Sequence, residues 1–287
     1  MKRRALLIGG SGQLGTELIR QGQHEWDITA PPSTSLNAFD AQALSTAVES
    51  FRPDLIINCS AFHNVDLCET RFADALAVNA VAVSALAKAG AQIGARFVTV
   101  STDYAFDGQS RIAYRESDAA DPLQAYGISK VAGERAALSA HIDGAFVIRT
   151  CGLYGHAPSR QKSGNFVLGR LADAKTKATV EVGSDLVCTP TSAADLAGAI
   201  LGLLNSGAAA GLFHLTNGGA CDWATFTAEI YKIAAIRSRV VGVDRGGRYA
   251  PARRPAFSVL DCGKAESVGV SLRPWQEALA DYVTSIA

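Results

Sequence analysis

The chain has no excess of charge of either sign. Its 287 residues include 27 Lys and Arg and 27 Asp and Glu, so the formal net charge is zero. A chain without a strongly basic or acidic balance has no long-range field to attract nucleic acid or an anionic membrane. We therefore expect neither as a partner. The length suits one large α/β domain or a main domain with a smaller one.

Paired cysteine motifs and long apolar runs are also missing. The six cysteines are scattered, with no Cys-x-x-Cys pair and no His-rich motif beside them. This favours reduced packing residues over a disulfide framework or a zinc site. The N-terminal segment is basic and then apolar, but Gly9 interrupts the apolar run after four residues. That run is too short for a signal sequence or a membrane span, and we expect a cytoplasmic protein.

Short apolar runs alternate with longer amphipathic stretches over the first two thirds of the chain. This alternation is typical of βαβ units and predicts an α/β fold with a Rossmann-type, doubly wound parallel sheet. The predicted strands are Ala5 to Ile8, Trp26 to Ala30, Leu55 to Asn58, Phe97 to Ser101 and Phe146 to Arg149. The predicted helices are Leu14 to Gln21, Ala41 to Phe51, Ala73 to Gly94, Ala125 to Ala140 and Trp275 to Ile286.

The rhythm of the sequence changes after Tyr154, where Gly and Pro punctuate shorter elements. We expect residues 1–154 to form an NAD(P)-binding Rossmann domain. Residues 155–287 then form mainly a smaller substrate-binding lobe, with some segments returning to the main sheet.

Three glycines follow the first predicted strand and open the first helix. Glycine tolerates the tight turn and lets the backbone approach a pyrophosphate, while the helix N-terminus attracts the anion. A glycine triplet alone is a weak signal, but its place between strand and helix predicts a dinucleotide site. The predicted contacts are Gly9, Gly12, Gln13, Leu14 and Gly15. Neither a carboxylate nor an arginine stands at the expected end of strand two, and Asp27 is interpreted as a solvated strand residue, so NADH and NADPH both stay open.

The segment after the predicted strand Leu55 to Asn58 contributes to the same site. Open α/β sheets bind ligands in the crevice outside the carboxyl ends of their strands. The small residues Ser60 and Ala61, with Phe62, are therefore predicted to contact the coenzyme. His63 follows them, but no serine or cysteine nucleophile motif accompanies it, and it receives no catalytic role.

Tyr126 and Lys130 are predicted to transfer a proton. They lie four residues apart on a predicted helix and therefore project from one face. A phenol with its usual pKa of about 10 is a poor acid at neutral pH, and a neighbouring ammonium is expected to lower that pKa. Thr102, at the end of another predicted strand, places a hydroxyl where it can bond a substrate oxygen.

A set of motifs extends over nearly the whole chain and resembles one known family. The motifs are Gly9-x-x-Gly12-Gln-Leu-Gly15, Ser101-Thr-Asp-Tyr-x-Phe-Asp-Gly108, Tyr126-Gly-x-x-Lys130 with Gly133-Glu134, Arg149-Thr150, Asn165-Phe-Val167, Pro190-Thr191 and Arg254-Pro-x-x-Ser-x-Leu260. The family is that of dTDP-4-dehydrorhamnose reductase, within the extended short-chain dehydrogenase/reductases. The resemblance implies NADPH- or NADH-dependent reduction of a 4-keto nucleotide sugar, with Thr102, Tyr126 and Lys130 as the catalytic residues and with Tyr126 and Lys130 also in contact with the coenzyme.

The resemblance also implies further roles. The residues expected to contact the substrate are Thr102, Asp103, Gly152 and Arg254. Arg253 or Arg254 would bind the diphosphate of the substrate, or else both would be solvated loop residues. Asn79 would be a structural or proton-relay residue. Trp223 and Trp275 are interpreted as core residues of the smaller lobe.

The chain departs from the family pattern at the sugar. The family has a tryptophan that packs on the sugar where this chain has Gly152, and Leu186 replaces a glutamine. Losing an indole removes a large apolar contact, so more room is expected at the hexose. Glu17 matches one magnesium ligand that some members use at a dimer contact, but Ala194 falls near another. We therefore predict no metal, interpret Glu17 as a surface acid of the first helix and leave a homodimer open.

Two other interpretations stay open. One is a non-catalytic nucleotide-binding regulatory subunit, against which the intact Thr102, Tyr126 and Lys130 argue. The other is a nucleotide-sugar epimerase, a 4,6-dehydratase or a 4-ketoreductase for another sugar. Dehydratases usually follow the threonine with Asp-Glu, whereas this chain has Asp103-Tyr104.

Overall fold

The computed structural model describes residues 2–157, 164–246 and 249–286. Its strands are β1 (Arg3–Ile8), β2 (Trp26–Thr29), β3 (Leu55–Asn58), β4 (Arg96–Thr102), β5 (Ala145–Thr150), β6 (Leu153–Tyr154), β7 (Thr179–Gly183), β8 (Val187–Cys188), β9 (Thr191–Ser192), β10 (Gly211–His214), β11 (Cys221–Asp222) and β12 (Arg239–Val243).

Helices alternate with these strands. They are α1 (Gln13–Gly22), α2 (Ala41–Phe51), α3 (Val65–Thr70), α4 (Phe72–Leu76), α5 (Ala82–Ile93), α6 (Ala125–Ala140), α7 (Phe166–Ala174), α8 (Ala193–Asn205), α9 (Trp223–Ile233), α10 (Gly263–Glu266) and α11 (Trp275–Ile286). A π-helical turn, Ala77–Val81, joins α4 to α5, and a 3₁₀ turn, Asp103–Ala105, follows β4.

The central sheet has six parallel strands in the order β2-β1-β3-β4-β5-β10. The chain runs outward from β1 to β2 and then returns to the other side of β1 with β3. This reversal is the topological switch point at which open α/β sheets form a crevice. The sequence-based prediction of a doubly wound α/β fold is confirmed, with β10 as the strand that returns from the C-terminal part.

Successive strand residues supply two apolar cores. Ala5 and Leu7 enter the core on the α1 and α8 side of the sheet, whereas Leu6 and Ile8 enter the core beside α2, α5 and α6. Because helices cover both faces, every residue of β3 and of β5 is buried. This double burial explains why the strands read as continuous apolar runs rather than as alternating patterns.

The helical segment Phe72–Ile93 carries the π-helical turn in its middle. By length and composition alone it could cross a bilayer. Here α5 packs between α2 and α6, and the turn packs on α6. The segment therefore has the packing of a core helix, and its irregular turn lies against the helix that bears Tyr126.

A third apolar core lies outside the sheet, in the C-terminal part of the chain. It is built around Tyr154, Phe226 and Trp275, with Tyr282 packed on the Tyr154 ring. The helices α7, α9 and α11 and the parallel pair of β7 with β12 surround it. This core stands beside the carboxyl ends of the sheet strands and forms the second wall of a cleft.

Candidate active site

A cleft of about 560 Å³ opens at the carboxyl ends of the central strands. Its walls come from the ends of β1, β3, β4 and β5, from the start of α6, and from the C-terminal core at Phe166 and Trp223. The cleft therefore coincides with the switch point of the sheet. Among the described residues that line it, Asp103 is the only acid and Lys130 the only lysine or arginine.

The glycine loop forms the floor of the cleft next to β1. Gly9 has a φ of +84°, and a Cβ there would lie 2.8 Å from the amide nitrogen of Ser60. A Cβ on Gly15 would lie 2.4 Å from the Gly9 carbonyl oxygen. Gly12, the N-cap of α1, has no side chain that could cap the helix, so the first amide groups of α1 are available to an anion. This cradle fits the pyrophosphate of a dinucleotide. Gln13 and Leu14 also line the cleft.

The cleft continues from this loop beneath the end of β2. Pro31, Ser33, Leu36 and Ala38 line it there. Asp27 is exposed on β2, opposite Arg4 in the ladder, and lies outside the described lining. This end of the cleft therefore presents no described carboxylate that would hold an unphosphorylated ribose or repel a 2′-phosphate.

The loop after β3 brings Ser60 and Ala61 into the cleft, together with His63. Asn58 shapes this loop, because its Oδ1 accepts from the Ser60 amide at 3.1 Å and from the Ser60 hydroxyl at 2.6 Å. Phe62 differs from its prediction as a coenzyme contact. It is buried against an apolar cluster and is not part of the described lining.

Thr102, Tyr126 and Lys130 meet in the middle of the cleft. Thr102 is the last residue of β4, and its Oγ1 accepts from the Tyr104 amide at 3.1 Å. Tyr126 lies in the first turn of α6, and Lys130 lies one turn further, almost fully buried. The Thr102 hydroxyl lies close enough to the Tyr126 phenol to lower its pKa. Sheet and helix thus bring together groups that are distant in sequence.

The pKa values of this group differ from the sequence-based expectation. Burial raises the pKa of Tyr126 well above its usual value, and the Asp103 carboxylate raises it further, while the nearby Thr102 hydroxyl opposes them. Burial lowers the pKa of Lys130 to about 8, against the opposing fields of Glu134 and Cys59. At neutral pH the phenol is therefore protonated and the ammonium is still charged. The spacing of Tyr126 and Lys130 in the sequence indicates a charge near the phenol but does not indicate the burial of both groups.

Asp103 adjoins Thr102 and is buried. Its Oδ1 accepts from the Thr102 hydroxyl at 3.1 Å. Its Oδ2 accepts from the Ser258 hydroxyl at 2.6 Å and from the Cys151 thiol at 3.0 Å. Burial raises the Asp103 pKa, and these bonds oppose that shift. The carboxylate thereby fixes the direction of the threonine hydroxyl.

Tyr104 also lines the cleft, and the sequence analysis assigned it no site role. Its ring packs edge-on against Tyr126 at 6.2 Å. Tyr104 comes two residues after the end of β4, which carries Thr102. This position in the sequence is the signal that could have placed Tyr104 in the site.

Asn79 anchors the catalytic helix from behind. Its amide nitrogen donates to the Phe62 carbonyl at 3.0 Å and to the Ser129 hydroxyl at 2.9 Å, and its oxygen accepts from the Phe62 amide. A Cβ on Gly133 would lie 2.0 Å from the Asn79 carbonyl oxygen, so the two helices approach closely. Asn79 lies outside the described lining of the cleft, which favours the structural one of its two expected roles.

A buried ion pair supports the same helix beneath the cleft. Glu134 accepts from Arg149 through both carboxylate oxygens, at 2.8 and 2.6 Å, and from the Ser101 hydroxyl at 2.5 Å. The side chains of Glu134 and Arg149 are each 3 % exposed. Because Glu134 lies one turn after Lys130, its carboxylate also raises the lysine pKa against burial.

Gly152 lies on the cleft wall contributed by β5, but the expected extra room is not beside it. Its φ is +54°, and a Cβ there would lie 3.1 Å from Pro190 Cα and 3.2 Å from Trp223 Cη2. The indole of Trp223 therefore fills this direction. Trp275 is buried in the third core as expected, whereas Trp223 packs against that core and also lines the cleft.

Arg254 lies behind the cleft wall. Its Nη2 donates to Asp66 at 3.0 Å and its Nη1 donates to the Ala252 carbonyl at 2.6 Å. Pro255 and Ser258 of the same loop line the cleft, but Arg254 is outside the described lining. Its guanidinium is already paired with Asp66, and its predicted substrate contact stays a prediction.

Glu17 is buried rather than exposed on the surface, which corrects the sequence-based interpretation. Its Oε2 accepts from Arg20 at 2.7 Å, so its charge is already paired. In the described part of the chain no group of three or more His, Cys, Asp or Glu side chains could hold a metal ion.

Comparison with known proteins agrees with this architecture. The family model of the RmlD substrate binding domain matches residues 3–287. The chain is 35% identical to the spore coat polysaccharide biosynthesis protein SpsK of Bacillus subtilis, covering 98% of this chain and 96% of that protein. It is also 35% identical to a dTDP-4-dehydrorhamnose reductase of Streptomyces griseus, covering 97% and 92%.

Solved structures show the same fold. A dTDP-4-dehydrorhamnose reductase from Clostridium acetobutylicum superposes with a TM-score of 0.93 at 32% identity, covering 99% of both chains. The enzyme of that name from Bacillus anthracis, in complex with NADP, has a TM-score of 0.93 at 30% identity and covers 99% of this chain and 100% of its own. The chain therefore belongs to the dTDP-4-dehydrorhamnose reductase family, within the RmlD substrate binding domain group.

Proposed function

We propose that this protein uses NADPH or NADH to reduce the 4-keto group of a nucleotide-linked 6-deoxyhexose, as dTDP-4-dehydrorhamnose reductase converts its substrate to dTDP-L-rhamnose. One observation carries the proposal. Thr102, Tyr126 and Lys130 converge in a single cleft whose floor is the glycine loop. A hydroxyl, a protonated phenol and an ammonium beside a dinucleotide site are the groups that carbonyl reduction requires.

The residues of the chain hold and move the proton in this reaction. A bound nicotinamide coenzyme supplies the hydride to the carbonyl carbon. Tyr126 donates its phenolic proton to the oxygen at C4, and its raised pKa keeps that proton in place at neutral pH. Thr102 orients the carbonyl oxygen, and Asp103 orients Thr102. The Lys130 ammonium stabilises the phenolate that remains after the transfer.

Binding is divided between the two walls of the cleft. We assign the coenzyme to the glycine loop with Ser60 and Ala61, and we assign residues 1–154 to the coenzyme domain. Residues 155–287 form mainly the substrate lobe. Asp103 and Gly152 lie at the sugar in this proposal. The side chains of Phe62 and Arg254 lie behind the walls of the cleft. We therefore assign to these two residues only contacts made by their backbone and by the loops that carry them.

The charged groups of the cleft argue against the other chemistries. A dehydratase needs an acid and base pair beside the threonine, but Tyr104 follows Asp103 here and no second acid lies in the described lining. A regulatory subunit has no use for a buried lysine held at a pKa of about 8 next to a phenol. A 4-ketoreductase for a different 6-deoxyhexose shares all of these residues, and it is the alternative that the geometry favours next.

The decisive test combines turnover and binding. Purified protein is mixed with NADPH or NADH and a panel of 4-keto nucleotide sugars, and loss of the reduced nicotinamide absorbance is followed. Tyr126→Phe should lower turnover by about 100-fold or more, since general acid catalysis contributes that much. The same variant should keep coenzyme affinity. Sugar-independent coenzyme binding without any turnover would support a regulatory protein, and tightly retained coenzyme with epimerised product would support an epimerase.

We further propose that the protein acts in the cytoplasm, with a nucleotide sugar as its partner and without nucleic acid or membrane contacts. A homodimer is the assembly to be tested, by light scattering of the purified protein. A monomer that turns over at the full rate would show that the site needs no second copy.

A further inference from the structure

Two aromatic side chains from different helices meet at the outer wall of the cleft. Trp223 is the first residue of α9, and Phe166 is the first residue of α7. Their ring centroids lie 4.5 Å apart with an interplanar angle of 40°. Both are partly buried on the third core and both line the cleft. Each ring therefore has part of its surface against protein and part facing the ligand space.

The pair stands close to the reacting groups rather than at the coenzyme end. The indole edge lies beside Gly152, with Cη2 3.2 Å from the position that a Cβ would take there. The preceding residue, Cys151, donates its thiol to Asp103, which accepts from Thr102. One continuous stretch of wall thus runs from the indole to the catalytic threonine. The group beside Thr102 in the proposed reaction is the sugar.

Local packing holds Trp223 in place. Its ring packs edge-on against Phe226 at 5.9 Å, and Asp222 caps α9 by accepting from the Thr225 amide at 2.9 Å. The Thr227 hydroxyl donates to the Trp223 carbonyl at 2.7 Å. A ring positioned in this way loses little further conformational freedom when a ligand packs on it.

Apolar side chains line the cleft together with the pair. Leu186 and Cys188 line the adjoining wall. The side-chain amide of Asn165, the residue before Phe166, already donates to the Gly155 carbonyl at 2.8 Å and to the Tyr282 hydroxyl at 2.7 Å. A hydroxyl packed on the ring faces would lose its water without gaining a partner from those faces, whereas a methyl group would gain contact.

We propose that Trp223, supported by Phe166, is a specificity-determining residue that packs on the apolar face of the hexose and selects a C6 methyl over a C6 hydroxyl. This inference rests on the proposed function. The indole reaches the sugar from α9, across the position where Gly152 leaves the strand side without a side chain.

Tryptophan fluorescence tests the contact without turnover. The other two tryptophans, Trp26 and Trp275, are buried and lie outside the described lining. Addition of dTDP-L-rhamnose to coenzyme-free protein should change the emission, and Trp223→Phe should remove that change. The control ligand is dTDP. An equal response to dTDP alone, or a full response in Trp223→Phe, would overturn the proposal.

Kinetics test the selectivity. Trp223→Leu keeps apolar bulk against Phe226 but loses the ring face. It should raise KM for the 4-keto-6-deoxy sugar by about tenfold, change kcat little, and reduce the preference over the 6-hydroxy analogue, with the melting temperature and coenzyme KM as folding controls. Unchanged sugar KM and preference in a folded variant would contradict the proposal while leaving the reductase function intact. Inactivity of the wild type with a retained Trp223 emission response would contradict the proposed function alone.

Discussion

The Asn79 amide donates to the Ser129 hydroxyl at 2.9 Å, and that hydroxyl donates in turn to the Tyr126 carbonyl at 2.7 Å. The irregular turn of one helix is thereby joined to the first turn of the catalytic helix. Asn79 is 1% exposed, so its three hydrogen bonds are made away from water.

Asn79→Ala should lower the free energy of unfolding by about 2–3 kcal/mol, because the amide and carbonyl of Phe62 lose their partner in a buried place. Urea denaturation measures this loss. Asn37→Ala is the matched control, since Asn37 is exposed and its side chain accepts from the Phe39 amide. Equal effects of the two substitutions would show that Asn79 does not anchor the helix.

Lys130 should set the alkaline limit of activity. Burial lowers its pKa from 10.5 to about 8, so the ammonium is present below that pH and is lost as the pH rises through it. We expect kcat/KM to fall above about pH 8. Lys130→Arg keeps the charge at every accessible pH. This variant should be less active, but its kcat/KM should not show the fall at alkaline pH. The same fall in Lys130→Arg would assign the titration to another group.

A carboxylate introduced at Ser33 should change the preference between NADPH and NADH. Ser33→Asp introduces a negative charge where the cleft extends below β2. Repulsion of a 2′-phosphate should raise KM for NADPH by about tenfold relative to NADH. Ser35→Asp is the control, because Ser35 is exposed and outside the described lining. An equal shift in both variants would point to a general charge effect.

Gly152→Ala should destabilise the protein by more than backbone strain alone. A non-glycine residue in the left-handed region costs about 1–2 kcal/mol. The added Cβ would also press on Pro190 and Trp223. Gly94→Ala separates the two effects, since Gly94 has a φ of +72° and nothing within 4 Å of its Cβ position. The difference between the losses of unfolding free energy in the two variants measures the cost of the contact with Pro190 and Trp223. No difference would mean that the Trp223 indole moves aside without a measurable cost.

Glu134→Gln should cost about 3–5 kcal/mol of stability, because it leaves the buried Arg149 guanidinium without a charged partner. The exposed pair of Glu229 with Lys232 supplies the control, and Glu229→Gln should change stability by less than about 1 kcal/mol. Thermal or urea unfolding compares the two. A small effect at Glu134 would mean that water reaches Arg149 in solution.

Local sequence signals predicted the central elements well. Ala41–Phe51, Ala125–Ala140 and Trp275–Ile286 begin and end where the sequence placed them, and so does the strand Leu55–Asn58. The strand Gly211–His214 was not located, because a four-residue strand that itself begins at a positive-φ glycine carries too short a pattern. Its identity as a strand depends on pairing with β5.

Site residues that depend on one local motif were predicted, and those that depend on folding were not. The glycine loop and the spacing of Tyr126 and Lys130 are local features, and the cleft contains both. Trp223 reaches the same cleft from a distant helix, which no local pattern reports. Phe62 and Arg254 are neighbours of cleft residues in sequence, but burial and the Asp66 pair turn their side chains elsewhere.

The close contact at Gly133 sets the distance between α6 and the π-helical turn that carries Asn79. With backbone against backbone at the Asn79 carbonyl, the separation of the two helices cannot be adjusted by repacking. Any larger residue at 133 must push α6 outward and carry Tyr126 and Lys130 with it. The position of the Tyr126 hydroxyl is therefore determined by a contact on the opposite side of α6, away from the substrate.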